Sequence, residues 1–275
     1  MLNANHLYCM FCMTFVVVLM FSESIPQTAV DRAFRPFADY FYLHVASLLP
    51  LAYVVCAAYV ACVYLVKPQT PYDLRGWLAG WSFSLAAFSV YGAMRLVPVL
   101  ARMITVHGVF QTICGDDGHY FFGDTFTWGV LFVFSKLPEL LDTAFIVLRK
   151  KPLIFLHYYH HVTVLLYTWH ALAMPRQTSL IFAAMNYMVH AFMYMFYGFV
   201  ALGARPSWFA RYITTLQIAQ MVIGTVSSLY TMANVHECRV RWEFAVGSVV
   251  MYASYLLLFV RFYVETYCEG RQKTD

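Results

Sequence analysis

Three imidazoles stand within five residues in "HYYHH", residues 157–161, inside an otherwise apolar run. His157, His160 and His161 are spaced i, i+3 and i+4, which is one face of a helix. Two chemistries use such a cluster. Imidazoles ligate transition metals. A neutral imidazole also attacks a thioester and carries its acyl group as an acyl-imidazole. The second chemistry needs neighbours that fix the ring's tautomer and donors that stabilise a developing oxyanion.

Groups of that kind recur on the neighbouring segments. "KLPELLDT" places Lys136, Glu139, Asp142 and Thr143 at i, i+3, i+6 and i+7. "NYMVHAFMYMFY" places Asn186, His190, Tyr194 and Tyr197 at i, i+4, i+8 and i+11. "TTLQIAQ" repeats Thr214, Gln217 and Gln220 every three residues and leaves Thr215 off the stripe. Each stripe alone also has a plain structural explanation. A buried histidine is commonly a hydrogen-bonded core residue, Gln and Thr tie membrane helices together, and Lys136, Glu139 and Asp142 can form an ion-pair cluster. Ionisable groups in spans are costly, however, and face a protein interior. Four such stripes argue for a shared polar chamber.

The elements that must position these stripes are membrane helices. Of 275 residues, 61% are hydrophobic and 12% charged, a composition outside that of soluble domains. Seven apolar stretches reach spanning length: 41–66, 77–99, 125–148, 153–174, 178–202, 208–234 and 244–264. None shows the ten-residue alternation of a membrane barrel strand. The expected fold is an all-α integral membrane protein, a bundle of seven transmembrane helices over residues 37–266 with no soluble domain. Residues 7–21 form an eighth, shorter apolar stretch. Residues 1–36 are read as an N-terminal leader, lumenal or interfacial, with a cleaved signal or an extra span as alternatives. Residues 267–275 are read as a cytoplasmic tail.

Charge sets the orientation. The net charge of +4 is modest and makes no case for nucleic acid. Lys and Arg are densest at Arg149, Lys150 and Lys151, on the side shared by connections 67–76, 149–152 and 203–207 and by the C-terminus. That side is taken as cytoplasmic. The polar stripes lie late in the third and fifth spans and early in the fourth and sixth, so all four fall in the half of the membrane nearest this side. The other half is lined by Phe, Met, Leu and Val. A polar chamber ending in an apolar cul-de-sac suits a ligand with a polar head and a long apolar tail. Arg271 and Lys273 look like a dibasic retrieval signal of the endoplasmic reticulum, although a merely solvated charged tail has the same residues.

Seven cysteines are present. Cys9 and Cys12 form a CxxC with no second pair, so no zinc site is expected. Cys114 and Cys238 fall in connections on the opposite, lumenal side. That compartment is oxidising, and the two are expected to form a disulfide.

Metal and acyl chemistry are then weighed by counting. A membrane di-iron desaturase or hydroxylase needs about eight histidines. Only His190 joins the HxxHH cluster on a polar stripe, while His6, His44, His107, His119, His170 and His236 lie elsewhere. The di-iron enzyme remains the alternative. The motifs, taken in order, bring a family with them: "KLPELLDT" for KxxExxDT, "HYYHH" for HxxHH, "NYMVHAFMYMFY" for NxxxHxxMYxYY and "TTLQIAQ" for TxxQxxQ. Over about residues 37–270 the chain resembles the ELO family of very-long-chain fatty acid elongases. It departs at Phe196, where the family usually has Tyr.

That resemblance implies an acyltransferase of the endoplasmic reticulum membrane, a 3-oxoacyl-CoA synthase that condenses malonyl-CoA with a long- or medium-chain acyl-CoA, releasing carbon dioxide and CoA. It implies seven helices, six of them a barrel around an acyl tunnel, with no cofactor and no metal. His160 is expected to carry the acyl group, with His157 and His161 orienting it or handling protons. Asp142 and Glu139 would hold imidazole tautomers. His190 and Asn186 would stabilise the enolate formed as malonyl-CoA loses carbon dioxide. Lys136, Tyr194, Gln217 and Gln220 would bind the thioester or pantetheine. Arg149, Lys150, Lys151 and Arg211 would draw the CoA phosphates, although the positive-inside bias accounts for these equally.

"PLIFLHYYHHVTVLLYTWH" resembles members acting on saturated or monounsaturated chains. Polyunsaturated-type members usually carry Gln where this chain has Pro152. A seven-helix receptor or transporter would share the span count without needing these groups. No Gly-rich dinucleotide loop follows a strand. The resemblance implies a ketoreductase, a dehydratase and an enoyl reductase as partner enzymes.

Overall fold

The structure, a computed structural model, describes residues 4–21, 27–114, 123–174, 180–204 and 207–269. Among them no strand occurs. The helices are α1 (Ala4–Phe21), α2 (Ala29–Leu65), α3 (Arg75–Cys114), α4 (Gly123–Ser135), α5 (Leu141–Leu148), α6 (Phe155–Ala173), α7 (Leu180–Ala201), α8 (Ser207–Ala233) and α9 (Trp242–Tyr263). A 3₁₀ turn, Pro138–Leu140, joins α4 to α5, and α9 continues as a wider turn over Val264–Glu269. Four helices are long and apolar enough to cross a membrane: α2, α3, α7, and α9 with its continuation. The chain is an all-helical, multi-pass membrane protein. The polar residues of α6 and α8 hold those two below the same apolar measure.

Three expectations about elements change. The second expected span, 77–99, runs on as α3 to Cys114, so Cys114 ends a helix and does not lie in a connection. The third expected span, 125–148, is not one helix. Pro138 has no N–H to offer the Phe134 carbonyl, and its ring opposes a continuous helix. The ladder stops, and the Leu137 N–H turns to Phe134 O at 3.0 Å. The freed Val133 carbonyl accepts from the Trp169 indole instead, at 3.2 Å. The remaining change is at α2, which begins at Ala29, well before residue 41. Thr28 and Asp31 cap it reciprocally, the Asp31 carboxylate accepting the Thr28 N–H at 2.7 Å. This capping box satisfies helix N–H groups that would otherwise lack partners. With α4 and α5 counted as one broken helix, α1 is additional to the seven expected.

The helices pack as two units. In the first, α2 lies on α4 and α6, and α4 touches α6. Phe41 meets Phe134 and Trp169 edge-on, with centroids at 5.4 and 5.1 Å. Buried Asp31 also accepts from the Trp128 indole at 2.9 Å, which ties the start of α2 to α4.

In the second unit, α3 runs along α7, α8 pairs with α9, and α1 rests on α3 and α7. Close approach of α3 and α7 depends on glycine. The Tyr187 ring occupies the space a Cβ would need at Gly92, and the Phe83 ring does the same at Gly198. Tyr8 of α1 is fully buried and donates its hydroxyl to the Phe192 carbonyl at 3.0 Å. Helix α3 kinks at Gly108, whose φ of 80° favours glycine. Beyond the kink, Cys114 is disulfide-bonded to Cys238 in the turn between α8 and α9. Ile113 and Val240 pack around the bridge.

Candidate active site

The break at Pro138 builds the first cluster. It lets Lys136 and Glu139 meet: Lys136 Nζ donates to both Glu139 oxygens, at 2.8 and 3.1 Å. Ser135 Oγ donates to Glu139 Oε1 at 2.9 Å. Lys136 Nζ also lies over the Phe132 ring, 4.4 Å from its centroid. Both charged side chains are almost wholly out of solvent, at 1% and 4%. A buried pair of this kind survives only when geometry and further hydrogen bonds offset desolvation. Here the two Lys–Glu contacts, the serine and the ring supply them.

One turn further on, α5 presents Thr143 to the histidine box. Thr143 Oγ1 lies 2.9 Å from His157 Nε2 and 2.6 Å from the Tyr59 hydroxyl of α2. On α6 the His157 and His161 rings are 4.4 Å apart, and His160 and His161 5.6 Å apart, as one helix face requires. Two other histidines have structural partners. His170 Nδ1 donates to Leu166 O at 2.8 Å and its Nε2 accepts from Tyr53 at 3.0 Å. His44 Nδ1 donates to Tyr40 O at 2.8 Å.

The second unit carries another cluster. Asn186 and His190 are both buried, and Asn186 Nδ2 lies 3.2 Å from His190 Nε2. An amide nitrogen only donates, so His190 accepts at Nε2. The Tyr194 ring stands edge-on to His190 at 5.2 Å. Gln217 Nε2 donates to Met193 Sδ at 3.3 Å. Gln220 and Thr214 are buried while Thr215 is exposed, matching the three-residue stripe. Tyr197, also placed on the α7 stripe by spacing, is 43% exposed.

The basic residues form a helix stop. Lys150 N–H bonds Val147 O and Lys151 N–H bonds Ile146 O, both at 2.9 Å, with Lys150 at φ 51°. This is a Schellman motif in which lysine stands where glycine is usual. Lys150 Nζ donates to Gln69 O at 3.1 Å, tying the stop to the connection after α2. Lys150 and Lys151 are exposed and Arg149 is partly so. Arg211 is exposed and donates to the Tyr263 hydroxyl at 2.6 Å.

Over residues 40–275 the chain matches the GNS1/SUR4 (ELO) family. It is a member of that family. It is 39% identical to the very long chain fatty acid elongase 6 of Gallus gallus over 223 residues, 78% of this chain and 84% of the relative. Identity to the Homo sapiens protein of the same name is 39% over 230 residues, covering 81% and 86% of the two chains. The long chain fatty acid elongase 2 of Caenorhabditis elegans is 34% identical over 258 residues, covering 90% and 94%.

The four motifs of this ELO-family chain divide between its two units, KxxExxDT and HxxHH in one and NxxxHxxMYxYY and TxxQxxQ in the other. Within the first unit, Thr143 meets an imidazole, while the hydrogen bonds of Glu139 go to Lys136 and Ser135. Sequence reasoning left out Tyr59 and Ser135. Tyr59 lies in an apolar run with no motif beside it, and no signal in the sequence singles it out. Ser135 directly precedes Lys136 and four-residue spacing to Glu139 pointed to it. Among the described residues no group of three or more His, Cys, Asp or Glu is arranged to hold a metal ion. Arg271 and Lys273 lie outside the described residues.

Proposed function

We infer that the chain is a fatty acid elongase: an acyltransferase that condenses malonyl-CoA with a long- or medium-chain acyl-CoA to give 3-oxoacyl-CoA, carbon dioxide and CoA. The observation that carries this is identity of 34–39% to proteins named as fatty acid elongases, over most of both chains. The di-iron alternative has no such support.

The residues are assigned these steps. His160 attacks the acyl thioester, its ring nitrogen forming a bond to the carbonyl carbon as the carbon–sulfur bond breaks and CoA departs with the ring's proton. His157 and His161 orient His160 and move that proton. Malonyl-CoA then loses carbon dioxide. The enolate left behind is held by Asn186 and His190. Its carbon attacks the acyl-imidazole, forming the new carbon–carbon bond as the carbon–nitrogen bond breaks, and one proton taken up from solvent through His157 or His161 returns His160 to neutral imidazole. Glu139 and Asp142 set the electrostatics of the box. Lys136, Tyr194, Gln217 and Gln220 bind the thioester and pantetheine, and Arg149, Lys150, Lys151 and Arg211 draw the CoA phosphates. No cofactor or metal takes part in this scheme.

The same reading places the enzyme in the endoplasmic reticulum membrane with seven crossings, six of them enclosing the acyl chain, and a cytoplasmic C-terminus. Cys114 and Cys238 bridge on the lumenal side. A ketoreductase, a dehydratase and an enoyl reductase complete the elongation cycle. Saturated or monounsaturated acyl-CoAs are the assigned substrates.

The test is a condensation assay on purified, detergent-solubilised protein with labelled malonyl-CoA and a ladder of acyl-CoAs, with and without chelator. Labelled 3-oxoacyl-CoA that persists with chelator, and disappears in His160→Ala, is the expected result. Full activity in a correctly inserted His160→Ala protein would remove His160 as the acyl carrier. Activity lost to chelator and restored by iron would favour the metal alternative.

A further inference from the structure

We propose that Tyr59, on α2 and outside every family motif, is a positioning residue for the histidine box, fixing the tautomer of His157 through Thr143. The proposal rests on the reading that His157 serves the condensation. Three helices meet in one chain of hydrogen bonds: Tyr59 of α2 to Thr143 of α5 at 2.6 Å, then Thr143 to His157 of α6 at 2.9 Å. Thr143 is 3% exposed, so bulk water does not compete for its hydroxyl.

The direction of the chain follows from donor strength. A threonine hydroxyl has one proton and a neutral imidazole nitrogen either donates or accepts. Of the two hydroxyls, the phenol is the more acidic and the better donor. Tyr59 therefore donates to Thr143 Oγ1. The Thr143 proton then points at His157 Nε2, which accepts it. The neutral ring carries its own proton on Nδ1. Without the phenol, Thr143 turns its proton either way and both His157 tautomers become accessible. The partner on one ring nitrogen thus decides which nitrogen carries the proton. Thr143, the last residue of "KLPELLDT", is the relay between them.

Tyr59→Phe removes only the hydroxyl. It is expected to lower kcat on the order of tenfold, as for contacting residues of one network, with KM for both CoA substrates unchanged. Thr143→Val is expected to lower kcat at least as far. Tyr59→Phe added to Thr143→Val is expected to change nothing more, and Thr143→Ser to keep kcat. The independent readout is ¹⁵N solid-state NMR of histidine-labelled full-length protein in proteoliposomes, with the His157 signals identified by their loss in His157→Asn. Wild type is expected to show Nε2 unprotonated, and Tyr59→Phe a mixture of tautomers. A protonated Nε2 in wild type would overturn the proposal. So would an unchanged spectrum in Tyr59→Phe, or losses that multiply in the double variant. Full activity in His157→Asn would instead remove the catalytic reading of His157, while the spectra still decide whether the relay exists.

Discussion

Spacing alone left open whether the charges of "KLPELLDT" support the fold or the chemistry, and the Lys136–Glu139 pair makes that question testable. Both are buried, and each satisfies the other. Removing one charge strands its partner in a poorly solvated site, at about 3–5 kcal/mol. Replacing both by uncharged side chains of similar size is close to neutral. Lys136→Met and Glu139→Gln are therefore each expected to lower the thermal midpoint in detergent strongly, while the double variant recovers most of it. The double variant is expected to fold and still fail to condense, because the thioester contact assigned to Lys136 is gone. A double variant that is stable and fully active would make the pair purely structural. At this scale the sequence identified the charged residues but not the contacts of Glu139 with Ser135 and Lys136, because helical spacing gives which groups share a face and not which lone pair meets which proton. Tyr59 was beyond sequence reasoning for the same reason: its contact with Thr143 joins positions 84 apart.

The break between α4 and α5 shows what periodicity misses at the scale of elements. Lys136, Glu139, Asp142 and Thr143 were placed on one face by treating 125–148 as a continuous helix. Pro138 breaks that pattern: α4 ends at Ser135 and α5 starts at Leu141. The 3₁₀ turn between them brings Glu139 back onto Ser135 and Lys136. Pro138→Ala supplies the missing N–H and removes the ring clash, so α4 and α5 are expected to join. Helix content should hold or rise in circular dichroism. Condensation should fall by roughly tenfold or more, since small misplacements of catalytic groups cost about a hundredfold. Unchanged activity would mean that the surrounding helices hold the break without proline. The strongly apolar elements were legible within a few residues: α6, α7, α8 and α9 all lie close to their expected spans. The start of α2 was not, because its signal is a capping pair, Thr28 and Asp31, followed by charged residues rather than an apolar run.

The order of the chain gives the Cys114–Cys238 bridge its significance for the whole molecule. The unit containing α1, α3, α7, α8 and α9 is discontinuous in sequence, and the segment from α4 to α6 intervenes between its α3 and α7. The bridge, with a sequence separation of 124, closes a loop that contains this whole segment and the histidine box. Cross-linking removes loop-closure entropy from the unfolded chain, about 4.7 kcal/mol for a loop of 100 residues. Helices that stay inserted in the bilayer already restrict that chain, so the figure is an upper bound here. Cys114→Ala, Cys238→Ala and the double variant are expected to lose the same increment of thermal stability, since all three remove one bond. Reductant should lower the midpoint of wild type and leave the variants where they are. Wild type should present five free thiols before reduction, those of Cys9, Cys12, Cys56, Cys62 and Cys268. In sealed microsomes, the two thiols released by reduction should react with a membrane-impermeant reagent only once the lumenal face is opened. Labelling from the outside of intact vesicles would reverse the proposed orientation, and seven free thiols in unreduced protein would dismiss the bridge.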